Sequence, residues 1–297
     1  MRFIRVGTAV AILNEERQIL LSHRGDMDVW NLPTGRLDAH EALAQGAIRE
    51  VKEETGLQVA LEYPVGLYYF EATRRMNILF VGFSIGGTLQ AQTDETRDNR
   101  YFALSELPSN LFASYMAQDA VHQVKARTLS IATDPAEIRR IRRKLARRWI
   151  MNLLQGRPEP RHVPFHVTAT ALIWDQDHHR LLVEGDRLRL PQVICRGQRA
   201  PWLDLQQVLE SRYHIQGASL RWVGIWQDPL HNQIDLVFAT TIHPAVTPSP
   251  QLSWVDPRNA GLSERDFTCA QKTSPQYSES NVWLGLKDNP LPTIVQV

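Results

Sequence analysis

The sequence predicts a mixed α/β protein built as two tandem domains, and three observations carry that expectation. The chain has 297 residues, enough for two cores of ordinary size. Its first part reads strand, strand, turn-rich loop, helix, strand, strand. Its second half repeats pieces of the first at a constant offset, the signature of a duplicated unit. In order, "GTAVAILNE" (7–15) and "QILLSHRG" (18–25) are apolar runs parted by a charged turn, and read as paired strands. "WNLPTGRLDAHE" (30–41) is turn-rich. "EALAQGAIREVKEE" (41–54) sets Leu43, Ala47, Ile48 and Val51 at helical spacing, and Gly56 stands where a left-handed carboxyl-terminal cap belongs. "PVGLYYFEAT" (64–73) and "NILFVGFSI" (77–85) then give a second strand pair; Trp30, Tyr68, Tyr69 and Phe70 could stack on a base, but aromatics in strands more often build core, which is the expectation for most of them.

Composition excludes several classes. With 33 basic and 32 acidic residues there is no global field to favour nucleic acid or a membrane surface, so any electrostatic function must be local. Cys195 and Cys269 have no metal-ligand spacing. "MRFIRVGTAVAIL" has a basic start and an apolar run but no small-residue cleavage site, and reads as a buried strand. No apolar stretch approaches the roughly 20 residues that span a bilayer. A cytoplasmic protein with reduced thiols and no membrane partner is the expectation.

The helix at 41–54 carries the chemistry. At about 100° per residue, Glu50, Glu53 and Glu54 fall on one side and repel each other unless neutralised. They could be a solvated acidic face relieved by Arg49 and Lys52, or a half-cage for a divalent cation, which favours oxygen ligands. Context decides. Gly35, five residues, Glu41, seven residues, then Arg49-Glu50-Val51-Lys52-Glu53-Glu54-Thr55-Gly56-Leu57 fill every specified position of the Nudix box. On those residues the chain resembles the Nudix hydrolase superfamily of MutT-like proteins.

The resemblance implies an α/β/α sandwich with a mixed sheet and an enzyme that cleaves the phosphoanhydride of a nucleotide, or of a nucleoside diphosphate linked to another moiety. The cofactor it implies is Mg2+, with Mn2+ an alternative, and the partner a small-molecule nucleotide. It carries metal ligation to Glu50, Glu53, Glu54 and the backbone carbonyl of Thr34, with Glu53 or Glu50 as the base. Arg49 would pair with Glu41 or Glu53 and hold loop and helix in register. In the segment "TDETRDNRYFALSELP" (93–108), Glu95 and Asp98 are candidates for a further ligand or base. "LPTGRLDAHE" most resembles members acting on free nucleotides. Neither zinc-ribbon cysteines nor a coenzyme A motif narrows the substrate.

"RLPQVICRG" (189–197) matches "NLPTGRLDA" (31–39) at an offset of 158, from Pro33 to Pro191, and the same offset maps Val65-Gly66-Leu67 onto Val223-Gly224-Ile225. A second Nudix-like domain is the economical reading. In that register Gly35 becomes Val193, Glu41 becomes Arg199, Glu50 becomes Val208, Glu53 becomes Ser211, Glu54 becomes Arg212 and Gly56 becomes His214, so the fold is expected without the catalysis.

Between the copies, "TDPAEIRRIRRKLARRWIMNLL" (133–154) starts with Asp134 as N-cap and Pro135 in the first turn, and predicts a basic helix; a proline-bearing linker follows. The expected domains are thus a catalytic one at 1–132, basic helix and linker at 133–163, and a degenerate Nudix-like domain at 164–297 that could complete an intramolecular pseudo-dimer. The terminal "TSPQYSESNVWLGLKDNPLP" is expected to be irregular. A receptor that senses nucleotides or binds RNA is the alternative function; intact carboxylates in the first domain weigh against it, and nucleic acid is not the favoured partner.

Overall fold

The computed structural model describes residues 3–25, 27–132, 163–242, 251–273 and 282–287, together with Arg139, Arg143 and Ala146. They form two compact units, one holding residues 5–124 and 129–132, the other residues 3–4, 125–128 and those from 165 on. The first contains strands β1 (Arg5–Ile12), β2 (Ile19–Arg24), β3 (Val29–Asn31) and β4 (Thr34–Arg36), helix α1 (Leu43–Thr55), strands β5 (Leu57–Phe70), β6 (Arg75–Gly87) and β7 (Thr96–Phe102), helix α2 (Ser114–Val121) and strand β8 (Arg127–Ile131). One mixed sheet runs β4-β1-β6-β5-β8, with β1 antiparallel to β4 and parallel to β6; a smaller one runs β3-β2-β7. Strand β1 is buried along nearly its whole length, as a central strand covered on both faces must be, which is why it reads as a continuous apolar run. Tyr68 and Tyr69 are fully buried, as the core expectation requires.

Helix α1 differs from its expected face at one residue. The buried stripe is Leu43, Gly46, Ala47, Val51 and Glu54, whereas Ile48 is exposed. One residue on from Ala47 is about 100° round the helix, which takes Ile48 off the seam. The inward seam therefore ends in carboxylates instead of apolar side chains. Gly56, at φ +77°, closes the helix by donating its N–H to the Lys52 carbonyl, and β5 starts at once.

The second unit contains β9 (His166–Trp174), β10 (Leu181–Glu184), β11 (Gln192–Ile194), α3 (Pro201–Tyr213), β12 (Arg221–Asp228), β13 (Gln233–Thr241), β14 (Leu252–Val255), α4 (Glu264–Thr273) and β15 (Trp283–Leu286). Strand β9 is antiparallel to β11 and parallel to β13, which is antiparallel to β12. The pairings β4-β1-β6-β5 of the first unit thus recur as β11-β9-β13-β12. Helix α3 begins and ends 158 residues after α1, and His214 caps it in the left-handed region at φ +60°, where the first unit has Gly56.

Part of the tail expected to be irregular is instead β15, laid parallel to β12 with Trp283 beside Gly224. A Cβ on Gly224 would overlap the Trp283 indole, so the missing side chain makes room for the strand. The basic helix and linker lie outside the described residues, apart from Arg139, Arg143 and Ala146, which are helical and exposed. Among the described residues, no helix is long and apolar enough to cross a membrane.

Candidate active site

Strand β4 and helix α1 meet where Gly35 passes the Glu50 side chain. A Cβ at Gly35 would overlap the Glu50 carboxylate, so glycine is required for the helix to seat that acid against the strand. One residue earlier, Thr34 donates its backbone N–H to Glu54 Oε2 at 3.0 Å and its hydroxyl to the Thr8 carbonyl at 2.8 Å. Strand β4 is thereby pinned to β1 on one side and to α1 on the other.

Arg49 holds the loop preceding the helix. Its Nε and Nη2 donate to the two oxygens of Glu41 at 2.8 and 2.9 Å, and Nη2 also reaches the Arg36 carbonyl at 3.0 Å. Its Nη1 reaches Glu50 at 2.9 Å and Glu53 at 3.1 Å. Both partners named as alternatives for Arg49, Glu41 and Glu53, are therefore engaged. The fork geometry of the Glu41 pair fixes orientation as well as charge. Glu41 is pushed up by burial, but the Arg49 hydrogen bonds and the Asp38 N–H outweigh that and hold it below the usual carboxylate range. Arg49 is in turn raised, chiefly by its hydrogen bond to Glu41.

The carboxylates that converge are Glu50, Glu54 and Glu95, each offering an oxygen within 4.8 Å of the others. Glu53 is outside this trio. It lines an open cleft of about 660 Å³ together with Thr93, Asp94 and Glu95. Asp98 is turned to an ion pair with Arg100 on β7.

Glu95 arrives through a set of hydrogen bonds no motif announces. The Glu54 carbonyl accepts from Asn99 Nδ2 at 2.8 Å and from Thr96 Oγ1 at 3.1 Å, and Asn99 Nδ2 also reaches the Gln90 carbonyl at 3.0 Å. The Gln90 N–H donates to the Thr55 carbonyl at 2.9 Å. The last turn of α1 leaves carbonyls without helical partners, and the 90–99 segment satisfies them, which lays Glu95 over the acidic face.

Burial drives the electrostatics. Glu54, 3% exposed, is pushed up to about 8 by desolvation; the Thr34 N–H and the positive charge of Arg24 counter this only in part, and Glu50 and Glu95 add to it. Glu50 is raised by burial too, against the pull of Arg49. Beneath Gly35, Arg75 donates to its carbonyl at 2.9 Å, and is pushed down to about 10 by burial and by the charge of Arg24. Arg24 and Arg75 thus stand within electrostatic range of the carboxylates. Sequence reasoning missed Arg24, Arg75 and Asn99 because a lone polar residue in a strand carries no periodic signal.

Three converging carboxylates, one almost without solvent, suit a small divalent cation: all donors are oxygen, and a cation relieves both their repulsion and the desolvation of Glu54.

The family model described as NUDIX domain matches residues 3–122. A putative 8-oxo-dGTP diphosphatase of Bacillus subtilis is 38% identical over 102 residues, which is 34% of this chain and 68% of that protein. The chain belongs to the NUDIX family. Another NUDIX relative, the NAD-capped RNA hydrolase NudC of Vibrio atlanticus, is 32% identical over 100 residues, 33% of this chain and 37% of that one. Among solved structures, an ADP-ribose pyrophosphatase from Streptococcus suis is 24% identical, with a TM-score of 0.36, covering 42% of this chain and 96% of that one.

Proposed function

We propose that the first unit hydrolyses a phosphoanhydride bond in a nucleotide or a nucleoside diphosphate derivative, with a divalent cation, Mg2+ or Mn2+, held by Glu50, Glu54 and Glu95. Membership of the NUDIX family and relatives named as diphosphatases and pyrophosphatases support the reaction class. The convergence of those three carboxylates carries the assignment. The Thr34 carbonyl, whose residue bonds Glu54 through its N–H, and Glu53, which shares a cleft with Glu95, are the further ligands in this reading. The cation supplies charge screening for an attack on an anionic phosphorus and makes water a better nucleophile at neutral pH.

The chain's own residues do the rest. Glu53, exposed on the cleft and within reach of Arg49, takes the proton of the attacking water at a carboxylate oxygen; Glu50 is the other candidate for that proton. Arg49 positions both through one guanidinium and keeps the Glu41 loop against the helix. Arg24 and Arg75 supply positive charge beside the carboxylates. A positioned general base typically contributes on the order of 10² to 10⁴ in rate.

The test is phosphate and nucleotide release from a panel: 8-oxo-dGTP and ordinary nucleoside triphosphates, ADP-ribose and NAD-type dinucleotides, each with Mg2+ or Mn2+. 8-oxo-dGTP, ADP-ribose and the NAD-type dinucleotides follow the names of the relatives. Hydrolysis that chelation stops, and that Glu54→Gln and Glu53→Gln each reduce by about 10² or more, is the expected result. Turnover surviving both substitutions would sink the carboxylate assignment. By the same reading, the second unit is a relative of the first that keeps the strand pairing and lacks the acids.

A further inference from the structure

In the second unit, β11 and the inward side of α3 open on a cleft of about 1020 Å³, and its charge is opposite to that of the first unit's acidic site. Arg187, Arg189, Arg196, Arg212 and Arg265 line it, against the carboxylates of Glu184 and Asp186. Among the described residues, the side chains of Arg187, Arg189 and Arg196 make no hydrogen bond or ion pair, and all three are exposed. Arg212 is engaged by Glu184, which also accepts the Tyr213 hydroxyl at 2.7 Å. Three uncommitted guanidiniums facing one cleft repel each other unless an anion lies among them, and the planar fork of each matches a phosphate oxygen pair.

The floor is built as well as charged. Arg265, largely buried, donates to Thr170 Oγ1 at 2.7 Å and lies 3.4 Å from Asp235, a carboxylate with no solvent exposure. It is its Nε that faces Asp235, and the same atom lies 3.6 Å from the Asp266 carboxylate. Gln233 donates to Asp235 at 3.2 Å, and Thr168 bonds it too, so the polar floor is held from below by two buried acids, Asp235 and Asp266. Beside it stands an apolar wall of Val193, Val208 and Ile194, the last 71% exposed. Together these three side chains give the cleft one apolar side opposite its arginines.

We propose that this cleft binds a nucleoside diphosphate or a close organic diphosphate, its phosphates among the arginines and its planar base against Ile194, without a metal ion. Metal-free binding follows from the helix: the positions that carry Glu50 and Glu54 in the first unit carry Val208 and Arg212 here. The cleft has room for more than a lone phosphate.

The experiment is calorimetric titration of the full chain with ADP, with inorganic pyrophosphate and with sulfate, in EDTA and free of divalent metal. One saturable ADP site is expected, unchanged in Glu54→Gln and weakened at least tenfold in an Arg187→Gln/Arg196→Gln double variant whose melting temperature matches wild type. Chelation silences hydrolysis, so failure here and failure of the catalytic reading are separate results. Absence of ADP binding in EDTA, survival of binding in the double arginine variant, or its loss in Glu54→Gln would each overturn the proposal. So would sulfate binding as tightly as ADP, which marks a basic surface without a shaped site, or pyrophosphate binding with ADP excluded.

Discussion

Helices α1 and α3 stand in matching sheets and bury matching positions: Leu43, Ala47, Val51 and Thr55 in one, Pro201, Leu205, Leu209 and Tyr213 in the other. Between those shared positions they differ in everything that bears charge. Glu50 and Glu54 face inward from α1, whereas Val208 and Arg212 occupy those places on α3. The apolar spacing is enough to specify where a helix lies on its sheet, and the residues that do chemistry are interleaved with it and free to change. One glycine joins the two levels. Gly35 lets Glu50 lie against β4, and its counterpart is Val193, next to a helix position that has no acid to accommodate.

Gly35→Val imports the second unit's residue into the first and should have the largest effect. The side chain would overlap the Glu50 carboxylate and push it from Glu54 and Glu95. Activity should fall by about 10² or more, with the circular dichroism spectrum intact. Full activity in this variant would show that the placing of Glu50 is irrelevant to the reaction.

Asn99→Ala removes the donors that tie the 90–99 segment to α1. The Glu54 carbonyl loses its shortest partner, and a buried acceptor left short costs about 1 to 3 kcal/mol. Because Glu95 is carried by that segment, metal affinity should also drop, by about 10- to 100-fold for a lost outer contact. Titration of Mn2+ followed by its paramagnetic effect on water relaxation reads the second effect apart from the first. A melting shift with unchanged Mn2+ affinity would remove Glu95 from the ligand set.

These two variants mark the limit of what could be read in the chain. The helix, its cap and its acids were legible because spacing and a terminal glycine are local signals. The offset of 158 was legible as well, and α3 begins and ends at it. The assembly of the carboxylate trio was not, because it depends on Asn99, Thr96 and Gln90 meeting the free end of a helix from far along the chain. The same holds for Ile48, whose apolar character suggested a buried face that the helix turns outward, and for β15, whose place depends on Gly224 lacking a side chain. The basic cleft is a sum over arginines scattered between 187 and 265, none conspicuous alone.

Gly224→Ala tests the second unit by itself. The added methyl meets the Trp283 ring, and overpacking of this kind costs about 1 to 3 kcal/mol. The expected loss is confined to the second unit's unfolding transition, with hydrolysis by the first unchanged at 25 °C. A parallel loss of hydrolysis would mean that the first unit's site depends on the second.

The smallest effect compares the turns that follow the two central strands. After β1, Asn14 Oδ1 accepts the Gln18 N–H at 2.8 Å. After β9, Asp175 does the same work with a charge, accepting the His179 N–H at 2.8 Å, the Arg180 N–H at 3.0 Å and Arg180 Nε at 2.9 Å. Burial alone would raise the Asp175 carboxyl, but the bonds from Arg180 and His179 prevail and hold it below its ordinary 3.8. A carboxyl depressed in the folded state contributes stability above its unfolded value, and that contribution fades as pH falls through the folded one. Asp175→Asn, which keeps one acceptor oxygen and loses the charge, should therefore cost about 1 to 2 kcal/mol at pH 7 and progressively less below pH 3.8. Asn14→Asp should show no comparable depression, since Gln18 offers an amide where the second unit offers Arg180. Urea unfolding of both variants at pH 7 and at pH 3 reads the difference, and a pH-independent deficit in Asp175→Asn would mean that the turn needs the shape of aspartate and not its charge.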